Sequence, residues 1–235
     1  MKTQDIYFII GLAFIFGPFI IFPEVLSAYK EFNLSHGVIT SALKFGILAT
    51  IGESIGLRIT DGVYNKKGFG LLPRAIVWGF LGIIIKMIFV IFVIGVPKFL
   101  AYLGLPIDPE IIRQDFTTYK LLTAFSIATS LNLLFAPLMM TFHKITDAHI
   151  VMNGGTLGGL FKPIRVVKIL NQINWDMLWG FVFKKTIPLF WIPAHTLTFL
   201  LPPQYHVLSA ATLGIILGAI LSFASLQAQK NIEND

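Results

Sequence analysis

The chain has 235 residues, 55% of them apolar and only 13% charged, with a mean hydropathy of +0.78. Soluble domains carry about a quarter charged residues, so the material for a wetted surface is missing, while 22 Phe, 6 Tyr and 4 Trp exclude disorder. The net charge of +6 comes without any cysteine, which excludes a disulfide scaffold, a thiolate zinc site and a thiol nucleophile.

A membrane-spanning helix needs roughly 20 mostly apolar residues, within about 17–25. Taken in chain order, the first candidate is 6–22, uncharged and expected to kink at Gly17-Pro18. One Lys precedes it and no A-x-A follows, so it reads as a retained anchor and not as a cleaved signal. The second, 34–57, carries Lys44 and Glu53, and the third, 71–97, carries Arg74 and Lys86. The fourth, 117–142, holds only Lys120. From Thr186 to Gln229 there are 44 residues without Asp, Glu, Lys or Arg. Pro202-Pro203 divides that stretch into spans at 177–201 and 207–226. The expected fold is therefore an all-α membrane protein, a single compact bundle of about six transmembrane helices over 1–235. A β-barrel would need short alternating strands, and runs such as Ile83-Ile84-Ile85 do not alternate.

Lysine and arginine in the loops set orientation. Ten fall on one side (Lys2, Arg58, Lys66, Lys67, Arg74, Lys144, Lys162, Arg165, Lys168, Lys230) and four on the other (Lys30, Lys98, Arg113, Lys120). The expectation is an integral protein of a bacterial inner (cytoplasmic) membrane with both termini cytoplasmic. Basic residues distributed this way suit a membrane and not nucleic acid.

Between spans, N-G-G-T-L-G-G at 153–159 reads as a flexible link, because a phosphate-cradling loop would follow its last glycine with Lys and then Ser or Thr. Beyond it, Ile164, Val167, Leu170 and Ile173 recur at three-residue spacing, with Lys162, Arg165 and Lys168 off that face. The spacing predicts an amphipathic helix over 163–175 on the inner surface, touching anionic lipid head groups or packed on the bundle. The loop 101–116, with Pro106, Pro109 and three acids, is expected outside, with a short helix starting from Pro109.

Ionisable side chains at membrane depth usually face the bundle interior or a wet cavity. Lys86 has eleven uncharged residues on either side, and Lys44 lies at similar depth. Together with Lys184 and His195 of the fifth span they are the candidate lining of an electropositive, solute-binding cavity, by the logic of basic rings in anion pores. The bland reading is that each lysine bonds a neighbouring helix carbonyl. Glu53, nine residues after Lys44, faces the opposite side of its helix, and Arg74 on the next span is its expected ion-pair partner. His143, Asp147 and His149 have a loose metal-ligand spacing, but at the inner surface they read as solvated polar residues, so no metal and no cofactor is expected. Gly52 and Gly56, and likewise Gly214, Gly218 and Ser222, form small-residue stripes. These are read as packing faces within the bundle, with a homo-oligomer contact as the alternative.

The run Trp179 … Pro188 … Trp191-Ile192-Pro193 … Thr198-Phe199-Leu200-Leu201-Pro202-Pro203-Gln204-Tyr205-His206-Val207, closing in Leu221-Ser222, resembles the Mpv-seventeen/Sym-one family of peroxisomal and mitochondrial inner-membrane proteins. Gly52-Glu53 and the Arg74…Gly79 spacing are similar to that family as well. Thr198 and His206 depart from it, standing where Asn and Arg are usual. The resemblance implies a divergent, prokaryotic-type helical membrane protein acting as a small-solute channel, and it supplies no catalytic residue.

The functional expectation is a channel or transporter for small anionic or neutral solutes. Its rival is a non-transporting scaffold or accessory subunit whose buried charges clamp helices. A lipid-modifying enzyme built on His195 or Glu53 lacks the paired acid and base groups it would need.

Overall fold

The computed structural model describes the backbone of residues 2–234, with side chains through residue 220 and at Ser222. The tail of the sixth predicted span beyond Ser222, with Lys230, therefore lies outside the described side chains. The chain is 82% helical, with no strand among the described residues. Helices α1 (Thr3–Ile21), α2 (Pro23–Ser35), α3 (Gly37–Asp61) and α4 (Leu71–Tyr102) are followed by α5 (Thr118–Leu134) and α6 (Ala136–Met152). Short turns α7 (Leu157–Leu160), α8 (Val166–Leu170) and α9 (Trp175–Met177) lead into a π-helical run, Leu178–Trp191, which continues as α10 (Ile192–Leu200). Helix α11 (His206–Asn234) closes the chain. By length and composition α1, α3, α4 and Pro203–Ile220 are apolar enough to cross a membrane, and the α5–α6 pair would make a fifth.

The centre of the bundle is the antiparallel pair α3/α4, whose register is fixed by glycines. A Cβ on Gly82 would stand 2.5 Å from the Ser41 carbonyl oxygen, and one on Gly46 would stand 3.0 Å from that of Ala75. This close approach lets Phe45, Ala49, Leu81, Ile85 and Phe89 pack into a buried core with Ile127, Leu131 and Phe199 of α5 and α10. Helix α11 lies on the other side of α3, where Gly52 meets the backbone of Ile215 and Gly56 meets Ser222. Gly214 and Gly218 have nothing within 4 Å. The stripe predicted on the last helix is therefore corrected: Ile215 and Ser222, two helical turns apart, make the contact, and the two glycines face away from it.

Several predicted elements differ in detail. Helix α1 runs through Pro18 to Ile21, and Pro23 at the first turn of α2 starts a helix where the sequence reading had a loop. The fourth predicted span breaks at Phe135 and bends by 44°, because Pro137 has no amide to bond the Leu133 carbonyl. Pro188 deletes another amide within the π-helical run, and Pro193 stands in the first turn of α10. The amphipathic helix expected over 163–175 shortens to Val166–Leu170 and buries Ile169, while Val167, on the predicted apolar face, is 74% exposed. The glycine-rich link is a packed turn: Gly70 and Gly155, both at positive φ, approach so closely that a Cβ on Gly70 would lie 2.9 Å from the Gly155 Cα.

Candidate functional site

Two clusters of charged side chains sit at different levels of the α3/α4 pair. The first forms where α3 begins. Because α3 and α4 run antiparallel, Gly37 lies beside Lys86, and a Cβ at Gly37 would fall 3.4 Å from the Lys86 Cε. Glycine thus leaves the lane along which the Lys86 side chain passes the first turn of α3. That turn has no side-chain cap, so its unpaired amides add the positive end of a 25-residue helix dipole to the same space.

Around it opens a cleft of about 920 Å³ lined by Asn33, Gly37, Ser41, Lys44, Lys86, Arg113, Asp115 and Lys120, with apolar walls from Val38, Ile112, Phe116 and Leu200. Its rim is made by the α2–α3 junction, the loop before α5 and the Pro202-Pro203 turn. Lys44 is 8% exposed and donates to Asn33 Oδ1 at 2.5 Å. Lys120 is 7% exposed and donates to the Gln114 carbonyl at 2.6 Å. Each ammonium therefore retains donors. Lys86 forms no hydrogen bond with the described residues and projects freely into the cleft. Four cations face one carboxylate, Asp115, and the exposed Arg113 is paired with Glu110 at 2.9 Å. The cleft is an anion environment with an apolar wall.

The loop that carries part of this lining is held by Asp108. Its carboxylate accepts from the Glu110 amide at 2.8 Å and from the Gln114 side chain at 2.7 Å, and these bonds, the backbone one foremost, keep its carboxyl below the usual carboxylate range. Gln114 in turn accepts from Lys120, so the cleft cation is positioned through a chain of two hydrogen bonds.

The second cluster lies further along α3, where Glu53 stands nine positions, about 14 Å at roughly 1.5 Å rise, beyond Lys44. Arg74 Nη1 donates to Glu53 Oε2 at 2.7 Å and to Asp147 Oδ1 at 2.6 Å, while Arg74 Nε donates to the Phe69 carbonyl. Glu53 Oε1 also accepts from Trp78 Nε1 at 2.8 Å and from His143 Nε2 at 3.1 Å. His143 is 3.6 Å from Asp147 and packs on Trp78, 4.3 Å between ring centroids. Glu53, His143 and Asp147 have the geometry of a three-ligand metal site. The Arg74 guanidinium, already bonded to both carboxylates, supplies the cation there instead. Between the two clusters the bundle is filled by Phe45, Ala49, Leu81 and Ile85, with Trp78 stacked on Phe45.

The structure thus brings Lys44 and Lys86 together and pairs Glu53 with Arg74. It separates the other predicted lining residues from the cleft. Lys184 is exposed on the π-helical run, beside a neighbour, Lys185, that lies over the Phe181 ring. His195 is buried, its Nδ1 2.9 Å from the Asn132 amide and its ring stacked on Trp191. The physical reason is that both were chosen by their depth in the apolar stretch, which does not fix the face a side chain takes on the π-helical run or on α10 beyond it. His149 is also buried, with Nε2 at the Leu160 carbonyl, away from His143 and Asp147.

Sequence reasoning missed Lys120, taken as a surface cation, and Gly37. It also missed the inward face made by His143 and Asp147, whose i,i+4 spacing was the available signal. Comparison with protein-family models, with curated proteins and with solved structures gives no match to this chain.

Proposed function

We propose that the chain is a membrane-spanning helical protein that binds a small anion in the Lys44–Lys86 cleft and passes it across the bilayer. Its six crossings are α1, α3, α4, the α5–α6 pair, the run Trp175–Leu200 and α11. The excess of Lys and Arg on one side supports a reading with the termini inside, in which the cleft opens outward. The observation that supports the reading is the grouping of Lys44, Lys86, Lys120 and Arg113 in one cleft, with Lys86 unpaired among the described residues. A lysine whose only task was to clamp a neighbouring helix would be bonded to it. Phe45, Leu81 and Ile85 fill the bundle below, so passage requires rearrangement of the helices, as in a carrier and not an open pore. The exposed Lys162, Arg165 and Lys168 are proposed to rest on anionic head groups. The resemblance to the Mpv-seventeen/Sym-one family points to the same kind of activity.

The test is radiolabelled sulfate uptake into liposomes holding the purified chain. Uptake should saturate and should fall at least tenfold in both Lys86→Ala and Lys44→Ala. Unchanged uptake in both variants contradicts the reading. The scaffold alternative is favoured by one observation, the Arg74 pairs that tie α3, α4 and α6 together.

A further inference from the structure

The volume and charge of the cleft restrict what it can hold. At about 920 Å³ it lies near the top of the range, about 300–1,000 Å³, of sites that take drug-sized organic molecules. A five-atom oxyanion would leave most of that space to water. The cations lining it are Lys44, Lys86, Lys120 and Arg113, and Asp115 is the one lining carboxylate among the described residues. Glu110 offsets the Arg113 guanidinium at 2.9 Å, and Asp115 offsets one ammonium. Two of the four positive charges remain.

The apolar surface comes mainly from other elements than the deep charges. Lys44 and Lys86 belong to α3 and α4, whereas Ile112 and Phe116 stand in the loop before α5, and Leu200 and Val207 flank the Pro202-Pro203 turn. Ile112 and Val207 are buried, but Phe116, at the rim, is 67% exposed. A phenyl ring left open beside a cationic lining offers a surface to the carbon skeleton of a ligand, because covering it removes apolar area of both partners from water. An inorganic oxyanion would leave that ring uncovered.

We infer that the ligand of the cleft is an organic dianion with an apolar body, the chemistry of an aryl or alkyl phosphate monoester. The inference rests on the anion reading of the cleft and narrows it. A phosphate monoester carries close to two negative charges near neutrality, which matches the excess of the lining. Its oxygens accept from Lys86 and from the donors that Lys44 and Lys120 retain after bonding Asn33 and the Gln114 carbonyl. Its body lies against Phe116, Ile112 and Leu200. Such a head group is found both on soluble esters and on lipids such as phosphatidate, and the shared chemistry is what the cleft recognises.

The experiment is calorimetric titration of the detergent-purified full chain at pH ~8, where a phosphate monoester with its second ionisation near 6 is a dianion. Three probes separate charge from body: sulfate has two charges and no body, benzenesulfonate has the body and one charge, and phenyl phosphate has both. Covering about 60 Å² of apolar surface corresponds to about tenfold in affinity, so phenyl phosphate should bind about tenfold tighter than sulfate. A second negative charge a few ångströms from an ammonium is worth at least about tenfold, so benzenesulfonate should bind more weakly than phenyl phosphate by that factor. Phe116→Ser should remove most of the advantage of phenyl phosphate over sulfate, while an unchanged sulfate affinity shows that the variant is folded. Repeating the phenyl phosphate titration in phosphatidylcholine nanodiscs with and without phosphatidate names the source. Displacement by phosphatidate assigns the cleft to a lipid head group, unaltered affinity assigns it to a soluble ester, and both results hold the class. Equal affinity for phenyl phosphate and sulfate, benzenesulfonate binding as tightly as phenyl phosphate, or an advantage that survives Phe116→Ser overturns the inference and leaves the anion site standing. Failure of the wild type to bind either sulfate or phenyl phosphate overturns both.

Discussion

Replacing Gly82 by alanine should destabilise the protein by about 2 kcal/mol, and the number follows from the helix contact. The added Cβ would lie 2.5 Å from the Ser41 carbonyl oxygen and 2.9 Å from the Phe45 Cβ. Even close carbon–oxygen contacts between helices stay at about 3.3–3.6 Å, so α3 and α4 must move apart by roughly 1 Å. A gap of that size forfeits about a quarter to a half of the dispersion attraction at each contact it opens. Forced overpacking costs about 1–3 kcal/mol, and the upper part of that range applies because the obstacle is backbone. Alanine's helix preference returns up to about 1 kcal/mol. The control is Gly218→Ala, where nothing lies within 4 Å and only the gain of up to about 1 kcal/mol remains. Equilibrium unfolding of the detergent-purified variants separates the two. Equal stability of the pair, or a larger loss at Gly218, would refute the assignment of the α3/α4 contact.

Arg74→Met leaves two carboxylates facing each other without their cation, and should cost about 3–5 kcal/mol in the same unfolding assay. Adding Glu53→Gln and Asp147→Asn should recover most of that loss. Gly37→Val obstructs the lane of Lys86 without changing any charge, so sulfate affinity measured by calorimetry should fall several-fold while its salt dependence stays unchanged. Asp108 is held below its ordinary range in the folded loop, so its contribution to loop order is fully present above the unfolded value near 3.9 and is lost as pH falls through the lower folded value. The Glu110 amide resonance should therefore titrate below pH ~3.9, and Asp108→Asn should abolish the transition.

Hydropathy located the long helices because a run such as Leu71–Pro97 has no other stable setting, and charge depth singled out Lys86 and Lys44 for the same reason. The Glu53–Arg74 pair was legible because both lie near the same ends of adjacent antiparallel spans. What the sequence did not reveal depends on rotation and local backbone geometry. Lys184 and His195 were assigned to the cavity by depth alone, and the structure leaves one exposed and buries the other against Asn132 and Trp191. Gly214, Gly218 and Ser222 form a stripe in any regular helix, but the edge that meets α3 carries Ile215 and Ser222, against Gly52 and Gly56. His143 and Asp147 were read as solvated because they follow the apolar segment, and only the continuation of α6 to Met152 carries them inward. Lys120 became a cleft residue through a partner, the Gln114 carbonyl, that no side-chain pattern announces.

The central claim, that the Lys86 side chain meets water in an anion-binding cleft, is tested most directly at that position. The chain contains no cysteine, so Lys86→Cys gives a single thiol without background. Intact vesicles carrying this variant, treated from outside with a charged, membrane-impermeant maleimide, should label within minutes, and saturating sulfate should slow labelling several-fold. A thiol that reacts only after the protein is unfolded would contradict the account.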